Sequence, residues 1–285
     1  MRVAVVGYAS LDYVVRLDSA PRPDCTSTIL SRSVEWPRLG GSPAYVAAAL
    51  VAGGVRDTIP VSWVGDDRES ERYRASLANI GVDVRGVGGR PGRTPVCILA
   101  YQPDGGCHCL YDPGLCHEPE LDECQRALIA AADALCITVG PAGVTREALA
   151  LARTDASVAW VVKVDPRAVP RDLTEALATR ADFVIFSQGE AAFVEEAFGG
   201  VNAVRRPIVV ETRGRKEVAL KYEGEIDVVP IDPVETDDPT GAGDTFAGGF
   251  LAARLTGTDL GAALRSGVEA ARNMLAQRVR SARLD

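Results

Sequence analysis

The feature that most constrains the fold is a regular alternation of short, continuously apolar runs with longer helical patterns. The apolar runs are rich in Val and Ile and have the length of strands, at 3–7 (VAVVG), 60–65 (PVSWVG), 134–140, 157–165, 182–187 and 207–212. Helical patterns lie at 43–54, 70–81, 145–153 and 190–200. Continuously apolar strands are typical of sheets that are buried on both faces. The alternation therefore predicts an α/β fold with a mostly parallel central sheet covered by helices.

Two segments break this alternation and predict a small second sheet. Residues 13–36 and 94–112 alternate polar and apolar side chains, which indicates antiparallel strands. The second segment has a turn sequence at 103–106 (PDGG), which predicts a hairpin. Both segments flank helices of the main sheet, so we expect them to form a β lid over one of its edges. Because no repeat or Pro-rich linker divides the sequence, residues 1–285 are expected to form one domain.

Composition and charge narrow the class of function. The formal net charge is −8, which argues against nonspecific binding to nucleic acid. No apolar stretch approaches the roughly 18 residues that a membrane helix needs. An odd number of cysteines, seven, without a secretory signal indicates reduced thiols in a cytoplasm. We therefore expect a cytoplasmic protein with a small-molecule partner, and no nucleic acid or membrane partner.

The most informative motif is a glycine turn around a carboxylate, DDPTGAGDTFAGGF at 237–250. The turn leads into a helical pattern, so the backbone N–H groups of Gly241–Gly243 are expected at a helix N-terminus, where they favour an anion. Asp244 would lie in the first helical turn beside this anion hole. Phosphoryl transfer to a hydroxyl needs this combination, because the acid accepts the proton while the amides take up phosphate charge. Since a helix N-terminus lowers the pKa of a carboxylate, we expect Asp244 to be ionised.

Other interpretations of this turn are weaker or less specific. A dinucleotide-binding fingerprint fails, because Phe246 occupies the third glycine position and little chain remains for a further βαβ unit. No GxxxxGK[ST] sequence occurs, which excludes a P-loop. An Asp in the first turn of a helix can also be a simple partner of the helix dipole, and the local sequence leaves that alternative open.

At these residues the sequence resembles the C-terminal signature of the ribokinase-like (PfkB) carbohydrate kinases, which include nucleoside and polyol kinases. The resemblance extends to 7–14 (GYASLDYV), 39–50 (LGGSPAYVAAAL), 187–193 (SQGEAAF) and 211–218 (ETRGRKEV). It implies a three-layer α/β/α sandwich with a β lid, and a kinase that uses ATP and Mg²⁺ to phosphorylate a hydroxyl of a sugar or polyol. A nucleoside kinase and a catalytically silent binding protein are the alternatives. Dependence on a monovalent cation stays open.

The resemblance also implies roles for individual residues. It gives Asp244 as general base with Gly241, Ala242 and Gly243 as anion hole; Asp12, Gly40, Gly41 and Tyr45 as acceptor contacts; and Ser187, Glu190, Thr212 and Gly214 as nucleotide contacts, with Glu190 ordering water around Mg²⁺. We expect Asp12 at the carboxyl end of the first strand, where a turn cap is the alternative. The glycines, Glu190 and Thr212 have alternatives of the same kind, in turns, a helix N-terminus and a hairpin.

Two positions depart from the family pattern. Tyr45 and Ser187 each replace an Asn that is usual in the family. Tyr45 offers a ring and one hydroxyl instead of an amide, which favours a polyol or an otherwise atypical sugar unless the ring only packs a helix. The change at Ser187 is smaller, because a hydroxyl can still bind a metal-bound water.

A cluster of cysteine and histidine residues lies in the predicted lid, at 107–117 (CHCLYDPGLCH). It contains Cys107, His108, Cys109, Cys116 and His117. The cluster has no C-x₂-C pair, and on a strand the first two cysteines would share one face while the histidine between them faces the other. We therefore expect these residues to pack the lid, which closes over the acceptor or meets a second subunit, and we expect no zinc.

Overall fold

The computed structural model describes residues 1–114, 118–199 and 207–282. Its strands are β1 (Arg2–Val6), β2 (Ser10–Leu17), β3 (Ile29–Arg32), β4 (Arg38–Gly40), β5 (Asp57–Val64), β6 (Val87–Gly89), β7 (Val96–Tyr101), β8 (Cys107–Asp112), β9 (Ala134–Ile137), β10 (Ser157–Val161), β11 (Phe183–Ser187), β12 (Ile208–Thr212), β13 (Glu217–Tyr222) and β14 (Glu225–Pro230). Its helices are α1 (Ser42–Ala52), α2 (Arg68–Asn79), α3 (Glu123–Ala130), α4 (Ala142–Leu151), α5 (Arg171–Arg180), α6 (Ala191–Gly199), α7 (Ala242–Leu255) and α8 (Leu260–Ala282), with a 3₁₀ turn at Gln188–Glu190.

The main sheet has nine strands in the order β14-β13-β12-β11-β10-β9-β1-β5-β6. Neighbours from β12 to β6 pair in parallel, and β13 and β14 add an antiparallel edge. All six strands that the apolar runs predict belong to this sheet. The prediction of a mostly parallel central sheet is therefore confirmed.

Helices cover both faces of this sheet because side chains alternate along each strand. On β1, Val3 and Val5 face a core that includes residues of α1, α2, α7 and α8. Ala4 and Val6 face a second core, to which α3, α4, α5 and α6 contribute. Strands with apolar residues on both faces require this double cover. The three-layer α/β/α arrangement is confirmed.

Small residues let α1 and α7 pack closely on the same face of the sheet. A Cβ atom at Gly248 of α7 would lie 2.5 Å from the carbonyl oxygen of Val46 on α1. A Cβ atom at Gly249 would lie 2.6 Å from the Cβ of Ala270 on α8. Side chains at these glycines would push the helices apart, so the glycine pair sets the position of α7 and of its N-terminus.

The second sheet has five strands, with β3-β2-β7-β8 in order and β4 paired with β2. The hairpin of β7 and β8 is antiparallel and turns at 103–106, as predicted. The expectation that the lid is entirely antiparallel is wrong, because β2 and β7 pair in parallel. This pairing joins strands far apart in the chain, and polar alternation does not specify the direction of such a pair.

The predicted position of Asp12 at the end of the first strand is also wrong. The main-sheet strand β1 ends at Val6, and Asp12 is the third residue of β2 in the small sheet. The chain changes sheets over three residues between β1 and β2, and the nearly continuous apolar sequence there does not indicate this change.

Gly200, Cys116 and His117, which belong to predicted elements, lie outside the described residues. No helix within the described ranges is long and apolar enough to cross a membrane.

Candidate active site

The first turns of α1 and α7 lie side by side and bring two glycine motifs together. Gly41 precedes α1 with φ +84°, and Gly241 precedes α7 with φ +78°, both in the region that favours glycine. The ring of Tyr45 packs against Gly241, where a Cβ atom would lie 2.6 Å from the ring. The contact joins the two N-termini directly.

Asp244 is buried in the first turn of α7. The whole residue is 8% exposed, and its Oδ1 has no hydrogen-bond partner within the described part of the chain. Burial raises the pKa of Asp244, while the charge of Lys163 and the hydroxyl of Ser42 oppose the rise. The expectation of a lowered pKa is therefore wrong, because desolvation outweighs the helix N-terminus.

The first turn of α7 exposes backbone donors. The Ala242 N–H donates to the Pro239 carbonyl at 3.0 Å, so this amide is already used within the turn. Within the described ranges, the amides of Gly241, Gly243 and Asp244 have no main-chain acceptor. A Cβ atom at Gly243 would meet nothing within 4 Å, so the backbone there faces open space. The donors available to an anion are therefore those of residues 241, 243 and 244.

The predicted acceptor contacts lie together where the small sheet meets α1. Asp12 is 3% exposed, and its Oδ1 accepts a 2.6 Å hydrogen bond from the hydroxyl of Ser10. A Cβ atom at Gly40 would lie 2.1 Å from this carboxylate oxygen, so only glycine leaves room for the acid. The hydroxyl of Tyr45 is also buried, with no partner among the described residues. Asp12, Gly40, Gly41 and Tyr45 are thus brought together.

A buried ion pair ties this region to the turn before α7. The guanidinium of Arg38 on β4 donates to both carboxylate oxygens of Asp238, and the longer of these bonds is 3.1 Å. Burial would raise the pKa of Asp238, but the bonds from Arg38 and the charge of Arg278 lower it. Burial also raises the pKa of Asp12, against the hydrogen bond from Ser10 and the charge of Arg38.

Two further contacts join the lid to this turn. The hydroxyl of Tyr101 on β7 makes a 2.7 Å hydrogen bond with the hydroxyl of Thr240. Arg16 on β2 forms an ion pair with Asp237. Three lid strands therefore contact the segment 237–240, which precedes the predicted anion hole.

A cleft of about 550 Å³ opens beside the α7 N-terminus, and the lid lines part of it through Arg16, Tyr101 and the hairpin turn at 102–105. Thr212 and Gly214 line it from the turn between β12 and β13, where Gly214 has φ +61°. Ala242 and Gly243 line its inner end. Other lining residues are Val218, Ile231, Pro233, Phe246, Val268, Arg272 and Leu275. The cleft therefore has mostly apolar walls and reaches the free amides of the turn.

Ser187 and Glu190 do not line this cleft. They form a reciprocal cap after β11, in which Glu190 Oε2 accepts from the Ser187 amide at 2.7 Å and from its hydroxyl at 2.9 Å. Glu190 Oε1 lies 3.8 Å from the Nζ of Lys163. The charge of Asp244 raises the pKa of Lys163, and burial opposes this. The charge of Lys163 thus acts on both acids.

The residue patterns did not reveal Lys163, Arg38, Asp238 or Arg278. The sequence could have indicated Lys163 as a site residue, since the chain has only three lysines and this one follows a buried strand. Asp238 lies inside the glycine motif, yet its two arginine partners are 200 and 40 residues away in sequence. No local pattern indicates such pairs.

The described part of the Cys/His cluster lies on β8. Cys107, His108 and Cys109 are exposed, and the Sγ of Cys109 is 3.2 Å from the Sγ of Cys97 on β7. Among the residues with described positions, no group of three or more His, Cys, Asp or Glu is placed to hold a metal ion.

Comparison with known proteins gives matches over nearly the whole chain. The model of the pfkB family carbohydrate kinases matches residues 2–280. The ATP-dependent ribose-1-phosphate kinase of Halopiger xanaduensis is 33% identical over 269 residues, 93% of this chain and 88% of the relative. The cytidine kinase of Thermococcus kodakarensis is 30% identical over 288 residues, 96% and 95% of the two chains. A putative ribokinase II of E. coli, solved with ATP and Mg²⁺, has a TM-score of 0.77 at 21% identity, covering 94% and 90%.

Proposed function

Because the chain belongs to the pfkB family of carbohydrate kinases, we propose that it transfers the γ-phosphate of ATP to a hydroxyl of a sugar, polyol or nucleoside. One observation carries this proposal. A buried carboxylate oxygen of Asp244 has no partner among the described residues, and it lies in the same helical turn as the unused amides. A hydroxyl donor for the acid and a phosphate for the amides would satisfy both.

The cleft suits a nucleotide. Its apolar walls offer packing for a base, and its inner end reaches the amides that favour phosphate. Thr212 and Gly214 are our candidates for nucleotide contacts at its rim. A relative by fold was solved with ATP and Mg²⁺, which agrees with this assignment.

Glu190 and Ser187 are our candidates for holding Mg²⁺ through water. Carboxylate and hydroxyl oxygens are the donors that suit this ion, and Ser187 already orients Glu190. When bound, Mg²⁺ would neutralise phosphate charge. Lys163, 3.8 Å from Glu190, adds a positive charge of the chain itself on the same side.

The chemical step requires one proton acceptor. The acceptor hydroxyl donates its proton to Oδ1 of Asp244 as the bond between its oxygen and the γ-phosphorus forms. The bond between that phosphorus and the bridging oxygen breaks, and ADP leaves. The amides of Gly241, Gly243 and Asp244 hold the charge of the transferring group. Closure of the lid over the acceptor excludes water from the reacting groups, which limits ATP hydrolysis.

The acceptor is a compound with several hydroxyl groups. Asp12 can accept hydrogen bonds from such groups, and Gly40 leaves the space that its carboxylate needs. Tyr45 offers a further buried hydroxyl. A ribose-containing acceptor is a second candidate within the class, because relatives at 33% and 30% identity are a ribose-1-phosphate kinase and a cytidine kinase.

An ADP-release assay over a panel of sugars, inositols, ribose phosphates and nucleosides tests this function. We expect one class to stimulate ADP release far above the ATP-only background, with the phosphorylated product detected by mass spectrometry. Asp12→Asn should reduce the stimulation, because it weakens the binding of acceptor hydroxyls. A purified, folded protein that binds no ATP and phosphorylates no member of the panel would contradict the proposal.

A further inference from the structure

The side chain of Arg278 engages the carbonyl groups behind the anion hole. Its Nη1 donates to the carbonyl oxygen of Thr240 at 2.8 Å and to that of Asp238 at 3.1 Å. The same nitrogen lies 3.7 Å from Oδ1 of Asp238. Arg278 comes from α8, near the end of the described chain, and only 20% of its side chain is exposed. Three oxygens of one turn therefore converge on a single positive group.

These two carbonyls have a particular relation to α7. In a continuous α-helix each N–H donates to the carbonyl four residues earlier, so Asp244 would use Thr240 and Ala242 would use Asp238. Arg278 occupies both of these acceptors. The Ala242 N–H donates to Pro239 instead, and the Asp244 N–H has no main-chain acceptor in the described structure.

We propose that Arg278 is a positioning residue that acts as a built-in cation for the anion hole. This inference rests on the proposed function, since it concerns how the same turn binds the transferring phosphate. The guanidinium binds the carbonyls of Asp238 and Thr240 and so fixes the turn that leads into α7, whose first-turn amides are free to bind the phosphate. Its charge also offsets the negative ends of the carbonyl dipoles beneath the site.

A consequence concerns monovalent cations. Carbonyl oxygens that converge on one point need a donor or a cation to satisfy them. Here the chain supplies that group, and the carboxylate of Asp238 is shared between Arg278 and Arg38. The enzyme therefore does not need potassium or another added monovalent cation to order this turn.

The first test needs no variant. The kcat of the wild-type protein is measured in KCl, NaCl and choline chloride at equal ionic strength, and we expect the same value in all three. An enzyme that turns over only when potassium or sodium is present would overturn the proposal.

The second test removes the guanidinium. Arg278→Ala should lower kcat by about 10²-fold, the scale of a small misplacement of reacting groups, with a smaller change in the KM of the acceptor. Guanidinium chloride should restore part of this kcat. Arg280→Ala removes an exposed arginine of the same helix and is the matched control. Its kcat should equal that of the wild type and should not respond to guanidinium chloride. Arg278→Lys retains the charge and should keep an intermediate kcat, which remains measurable if the alanine variant does not fold.

The outcomes separate this inference from the proposed function. A wild-type protein that is inactive on the whole panel would count against the function alone. In that case calorimetric binding of a non-hydrolysable ATP analogue still tests Arg278. Binding weakened by Arg278→Ala and restored by guanidinium supports the inference. Either of two results overturns it. One is that Arg278→Ala leaves both the binding and kcat unchanged. The other is that guanidinium does not restore the loss, while Arg278→Lys folds as the wild type does but has the low kcat of the alanine variant.

Discussion

Burial and charge act in opposite directions on Asp244. Desolvation raises the pKa of its carboxyl, and the ammonium of Lys163 is the largest influence that lowers it. A base with a raised pKa loses its proton at a higher pH than an ordinary aspartate and binds the hydroxyl proton more strongly. In the proposed role of Asp244 as base, Lys163 therefore limits how far burial raises the pKa of the carboxyl.

Lys163→Met should move the acid limb of the kcat–pH profile to higher pH. Loss of the positive charge removes the influence that lowers the pKa of Asp244, so the ionised base appears only at a higher pH. The measurement is kcat against pH at saturating ATP and acceptor. Lys221→Met, at an exposed site on β13, is the control and should leave the limb in place. An acid limb that stays put or moves to lower pH in Lys163→Met would contradict this account.

At the scale of elements, the site depends on the close approach of α1 and α7. Tyr45 of α1 fills the space that a side chain at Gly241 would need. The lid strands reach the same turn through Arg38 and Tyr101. Two helix N-termini and the small sheet therefore meet at residues 237–241.

Gly241→Ala should cost more stability than Gly257→Ala. Both glycines have positive φ, which costs an alanine about 1–2 kcal/mol. A Cβ atom at Gly257 meets nothing within 4 Å, whereas at Gly241 it would enter the ring of Tyr45. Thermal unfolding of both variants measures the difference. Combining Gly241→Ala with Tyr45→Asn should recover part of the loss, and equal losses in the two single variants would show that the ring contact has no effect.

Tyr101→Phe should weaken closure of the lid. It removes the hydrogen bond to Thr240, with a net value of about 1 kcal/mol. We expect a higher KM for the acceptor and a smaller change in the KM for ATP, because the ring of Tyr101, which also lines the cleft, stays in place and only its bond to Thr240 is lost. Tyr13→Phe, in a lid tyrosine that contacts Trp36 edge-on, is the control. Equal changes in both KM values for Tyr101→Phe would contradict a role in acceptor closure.

The sequence predicts those features that local pattern controls. The apolar runs locate the parallel strands, and the glycine turn locates the start of α7 and Asp244 within it. The parallel pairing of β2 with β7 and the position of Asp12 in the small sheet could not be predicted, because both depend on contacts between residues far apart in sequence. The raised pKa of Asp244 was also not predictable, since the dipole is local while desolvation depends on the packed fold.

At the scale of the whole molecule, one face of the small sheet carries exposed apolar residues at the β7–β8 hairpin. Val14, Cys97, Leu99 and Tyr101 form a small core on its inner side. Ile98 and Leu110, direct cross-strand partners on the other face, are 42% and 61% exposed. Exposed apolar sheet surface of this kind favours association, and we propose that this lid face meets a second copy of the chain.

Leu110→Asp should convert such a dimer to a monomer. A charge at the centre of an apolar contact would be buried without a partner, which strongly disfavours association. Sedimentation velocity of the wild type and the variant measures this. Ile226→Asp, an equally exposed apolar residue on β14 at the far edge of the main sheet, should leave the dimer intact. A wild-type protein that is monomeric at every concentration would contradict the dimer and leave the lid only the role of a cover.

The most direct test of the central claim is the turnover of Asp244→Asn with the stimulating acceptor. The amide cannot accept the hydroxyl proton, so kcat should fall by about 10²–10⁴-fold while calorimetric binding of ATP stays close to that of the wild type. Asp155→Asn, an exposed aspartate paired with Arg153, is the control for the same chemical change and should retain full activity. An Asp244→Asn protein with near wild-type kcat would show that Asp244 is not the base and would contradict the mechanism.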